Sequence, residues 1–140
     1  MNRERALQVV LTLVGLAFIF GIYTFIIIWP SGWAWHADQS HQLPHYLQMI
    51  LGVYATLGVF LLIASRHPAE HRSLITFAAW SSIVHGAIMG LEAFETVGQR
   101  GHLLGDVPAL LIIGIVLIAL APPKPLASAV ALAPAKSYGD

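Results

Sequence analysis

Apolar residues gather in four long blocks, each near the ~20 residues of helix that a hydrocarbon core ~30 Å thick requires. They cover residues 6–29, 46–64, 73–94 and 103–121. The first two contain no charged side chain. The third carries His85 and Glu92, and the fourth has Asp106 near its start. Prolines punctuate the ends: Pro30 closes the first block, and Pro44 precedes the second, where a missing N–H costs nothing. Asp106 is placed to cap the fourth helix, with Pro108 tolerated in its first turn and Pro122 and Pro123 stopping it. The pattern predicts an all-α, four-transmembrane-helix bundle over residues 1–121. Residues 122–140, rich in Ala and Pro, are expected to be a disordered cytoplasmic tail.

Composition narrows the class further. Of 140 residues, 57% are hydrophobic and 10% charged, and the mean hydropathy is +0.74. So small a soluble globule cannot hide that much apolar surface. The formal net charge of zero argues against a nucleic-acid partner held through phosphates. With no cysteine, disulfides, thiolate metal sites and iron–sulfur clusters are excluded. The first block, basic at Arg3 and Arg5, outruns the ~7–15-residue core of a signal peptide and reads as a retained helix.

Basic residues set the orientation, because cytoplasmic loops concentrate Lys and Arg. Arg3, Arg5, Arg66, Arg72, Lys124 and Lys136 fall on one side and Arg100 alone on the other, which predicts both termini in the cytoplasm. The outer loop, residues 30–45, contains neither Lys nor Arg, and its Trp33 and Trp35 suit a headgroup belt.

In lipid, helices associate by close backbone approach and interhelical hydrogen bonds. On the third helix Ala78, Ser82, Gly86 and Gly90 recur every four residues, so they share one face and form a packing ridge. The ridge serves either the bundle itself or a contact between two chains. Gly52 with Thr56, and Gly15 with Gly21, are lesser small-residue features.

His85 is the deepest ionisable group, and Ser81, Glu92 and Glu95 share its broad stripe. His85 and Glu92 are two turns apart, ~10.5 Å along the axis, so a partner for either must come from elsewhere. Tyr54, Thr56, Gln48, Tyr23 and Thr24 are candidates. Three readings fit the stripe: a structural hydrogen bond, acid–base catalysis by His85 and Glu92 on an apolar substrate, or a proton or ion relay. Outside the membrane, His36, Asp38, His41 and His45 gather near the outer loop, with His102 and Asp106 at the second outer connection. His41, His45, His102 and Asp106 form a candidate site for a metal with imidazole and carboxylate ligands. The inner connector, with Arg66, His67, Glu70, His71 and Arg72, reads as a wet segment that meets anionic headgroups. No nucleotide-binding or serine-hydrolase motif occurs, and no cofactor is expected.

Residues 51–90, LGVYATLGVFLLIASRHPAEHRSLITFAAWSSIVHGAIMG, and residues 100–111, RGHLLGDVPALL, resemble uncharacterised bacterial four-helix membrane proteins, broadly DoxX-like. The most distinctive pieces are Trp80-Ser81-Ser82 through His85-Gly86 and Gly101-His102 through Asp106-Val107-Pro108. The resemblance implies a bacterial inner-membrane bundle and carries no reaction with it. A looser likeness to the sterol-isomerase and sigma-receptor-like fold, which uses His and Glu in a membrane cavity, extends only to His85 and Glu92 and is an analogy of fold. The leading expectation is a small non-enzymatic membrane protein, surrounded by the lipid bilayer and associating with a second copy or a larger membrane complex. The alternative is an enzyme or binder for a lipophilic small molecule.

Overall fold

The computed structural model describes residues 2–28 and 45–122, and all regular structure among them is helical. Helix α1 (Arg3–Leu16), a π turn (Ala17–Gly21) and α2 (Ile22–Ile28) follow without a break and make the first span. Helices α3 (His45–Ala64) and α4 (Arg72–Glu95) are the second and third. A 3-10 segment (Val97–Leu103) leads into α5 (Asp106–Leu120), and the two make the fourth. All four spans are long and apolar enough to cross a membrane. The rest of the outer loop before His45, and the tail after Pro122, lie outside the described residues.

Local chemistry explains where the helices begin. The Asn2 side chain accepts the Arg5 N–H at 3.0 Å, so α1 starts at Arg3 with a polar first turn ahead of the apolar block. Asp106 is not the N-cap of α5. That position belongs to Gly105, which offers no side-chain oxygen. Asp106 is the first helical residue: it accepts the Val107 N–H at 3.0 Å and is otherwise engaged by His102.

Glycines decide how closely the spans meet. A Cβ on Gly58 would stand 2.6 Å from the Gly15 carbonyl oxygen, and one on Gly114 would stand 2.7 Å from that of Ala79. Only glycine lets these backbones touch, so α1 seats on α3 and α5 on α4, the two most extensive helix pairings. Ala78, Ser82, Gly86 and Gly90 are all buried. Val107, Leu110 and Leu111 of α5 cover Gly86, and Val107 reaches Gly90, so the ridge is occupied within one chain. Gly52 faces open space, and the Thr56 hydroxyl donates back to its carbonyl at 2.9 Å. Thr56 itself is exposed.

The core fills one half of the bundle. Leu7, Leu11 and Val14 meet Leu61 and Ala64 of α3, Ile75, Ala78 and Ala79 of α4, and Leu117 of α5. Large side chains such as Leu13, Phe20, Phe77 and Ile112 point outward, as suits a lipid solvent. At this end the Arg3 guanidinium donates to the carbonyls of Ala119 at 3.1 Å and Ala121 at 2.9 Å, closing the C-terminus of α5. The start of α1, the α3–α4 connector and the end of α5 therefore share one face of the bundle, with Arg3, Arg66 and Arg72 on it. Arg100, between α4 and α5, lies at the other end.

Candidate intramembrane cavity

The other half of the bundle is less filled. Beyond Phe18 the first span, α3, α4 and α5 line a partly open cavity of about 350 Å³. Its apolar wall includes Ile22 and Phe25 of α2, Ile50 of α3, Met89 of α4, and Leu110 and Ile113 of α5. The π turn contributes Ala17, Phe18 and Gly21 to the same wall. One extra residue in a helical turn widens it and redirects the side chains that follow, and such turns recur beside functional sites. Ala17, Gly21 and Ala109 leave space that larger residues would fill.

Two polar pairs line the cavity. The Tyr54 hydroxyl and His85 Nδ1 are 3.0 Å apart and join α3 to α4. The Phe18 and Tyr54 rings meet edge to face, with centroids 4.9 Å apart and planes at 80°, so the first three spans converge on this phenol. At the entry to α5, His102 Nδ1 lies 2.9 and 2.8 Å from the two oxygens of Asp106. Both residues are only 4% exposed. An ionised Asp106 accepts the Nδ1–H of His102 and fixes the orientation of the ring. Glu92, Gln99 and Tyr46 complete the polar lining.

The stripe on α4 thus divides. His85 and Glu92 line one cavity, Glu92 at its exposed rim, whereas Glu95 is exposed and lines no part of it, and the Ser81 hydroxyl donates to Ala78 of its own helix at 3.2 Å. Of the candidate partners for His85, Tyr54 holds it. Thr24 and Thr56 donate to carbonyls one turn back, and Tyr23 is exposed. In the candidate metal set, His102 and Asp106 bind each other, His45 is exposed at the start of α3, and His41 lies outside the described residues. Among the described residues no three His, Asp or Glu side chains are grouped to hold a metal ion. Tyr46, Met89 and Gln99 are lining residues that reasoning from the sequence passed over. A signal for two of them exists: Tyr46, Ile50 and Tyr54 repeat every four residues, and Met89 stands between His85 and Glu92 at helical spacing.

Neither a curated protein nor a solved structure matches the chain. A family model does match, over residues 2–134 and so through every helix of the bundle: the chain belongs to DUF6632, a family of unknown function.

Proposed function

We propose that this bundle is a binding protein for a lipophilic small molecule with one polar end, taken up from the membrane into the cavity. The carrying observation is that Tyr54–His85, His102–Asp106 and Glu92 all line one largely apolar space of about 350 Å³. That volume is in the range of small-molecule sites, which combine apolar walls with a few fixed polar groups. Ionisable residues at membrane depth are costly and as a rule serve an interior site. The setting we propose is a bacterial inner membrane, with the arginine-bearing end toward the cytoplasm, in keeping with the DoxX-like resemblance.

The test is to purify the full chain from native membranes in mild detergent and identify apolar molecules that stay bound. The expected result is one such molecule near unit stoichiometry in the wild type. Met89→Trp, which fills the cavity, should release it, and Tyr54→Phe should weaken it by about fivefold, the worth of one hydrogen bond. Retention of bulk phospholipid alone, identical in all three proteins, would end this reading.

A further inference from the structure

A second concavity lies at the opposite end from the cavity, on the lipid-facing seam between α4 and α5. It measures about 340 Å³ and is lined by Arg3 and Arg72 at its polar end and by Thr76, Trp80, Leu117 and Ile118 along its flank. We infer that this groove holds the phosphate of an anionic phospholipid against Arg72 and Arg3, with an acyl chain laid along Trp80, Leu117 and Ile118.

Three observations carry the inference. First, Nη1 of Arg72 is buried and meets no acceptor among the described residues. An unpaired guanidinium donor is costly, and more so at the edge of a hydrocarbon layer. The same half-buried side chain lines the groove. Second, the charge there has one sign: Arg3 and Arg72 both line the groove, and among the described residues no acidic side chain does. Arg3 is already fixed by its bonds to Ala119 and Ala121, so it presents its charge at little entropic cost. Third, polarity falls along the groove as it does along a lipid. Arg72, Thr76 and Trp80 succeed one another every four residues on one face of α4. Trp80, 55% exposed, lies two turns deeper than the arginine, so the row runs from a phosphate-binding head to an apolar flank. Arginine matches the paired oxygens of a phosphate.

The experiment uses the full chain, delipidated in detergent and offered phosphatidylglycerol, phosphatidylcholine or inorganic phosphate. Native mass spectrometry counts bound lipid, and thermal unfolding is followed in parallel. Wild-type protein should prefer phosphatidylglycerol by about fivefold, and that lipid alone should raise its Tm. Arg72→Gln should bring the preference close to parity, Arg72→Lys should keep part of it, and Arg100→Gln, at the other end, should leave it intact. Three results would overturn the inference. One is an undiminished preference in Arg72→Gln; another is an equal loss in Arg100→Gln. The third is displacement of the lipid by millimolar phosphate, which would mark a site for the free anion. Should Arg72→Gln fail to fold, the Tm shifts of the wild-type protein decide, and equal shifts with both lipids count against the site.

Discussion

Tyr54 and His85 each sit where an unpaired polar group would be penalised, and each relieves the other across the α3–α4 boundary. Removing the phenolic oxygen in Tyr54→Phe strands the imidazole nitrogen. Interhelical hydrogen bonds in membranes are worth ~0.6–1.7 kcal/mol, so the loss should fall in that range, read as a shift in unfolding by a denaturing detergent. Thr56→Val is the matched control, because Thr56 bonds only its own helix and faces outward. The His102–Asp106 pair should be less forgiving. Asp106→Ala leaves a buried imidazole without its carboxylate and should cost about 3 kcal/mol, near the lower limit for breaking a buried pair. A smaller cost for Asp106→Ala than for Tyr54→Phe would contradict this ranking. The sequence alone marked His85 as the residue needing a partner, since an ionisable group in the middle of an apolar block stands out by itself. Which of five polar residues answered it was not legible, because that choice depends on how α3 is rotated and on the seat that Phe18 offers the phenol.

At the scale of the helices, apolar run length and flanking polarity were enough to count four membrane-capable helices, because lipid imposes one simple rule on a crossing segment. Departures from plain α-helix were hidden. The π turn at Ala17–Gly21 has no composition of its own, and the 3-10 entry to the fourth span places His102 one turn from Asp106 without announcing itself. The small-residue ridge on α4 was conspicuous through its repeat of four, whereas Gly58 and Gly114 were overlooked as isolated glycines. Yet these are the tighter contacts. A methyl group at Gly114 would meet both the Ile83 side chain and the Ala79 carbonyl, and backbone cannot step aside as a flexible side chain can. Gly114→Ala should therefore destabilise by ~1–3 kcal/mol through overpacking. Gly52→Ala, with no heavy atom within 4 Å of its added carbon, should be neutral or slightly stabilising, as expected for Ala over Gly within a helix. Equal behaviour of the two variants in a detergent unfolding assay would show that the α4–α5 seam is looser than its geometry requires.

For the molecule as a whole, the two ends differ in both packing and charge, and the difference gives the bundle a direction. One end holds the filled core, the Arg3 clamp on α5 and the basic connector; the other holds the cavity, the two polar pairs and Arg100. Translocating Lys and Arg in short loops is disfavoured, so the arginine-bearing end should stay in the cytoplasm and the cavity should open toward the outer half of the bilayer. Reporter enzymes fused after Asp140 and inserted in the α3–α4 connector should both report a cytoplasmic location, while a reporter at Gly98 should be periplasmic. The rule acts through the summed bias of the flanks, so replacing Arg3, Arg5, Arg66 and Arg72 together with Gln and adding Lys beside Arg100 should yield a mixed or inverted population. Single replacements should not, because the remaining charges still favour the same side. A cytoplasmic signal from Gly98 in the wild-type chain would reverse the bundle and turn the cavity toward the inner leaflet, which would leave the helix packing untouched but change the face from which the proposed ligand would enter.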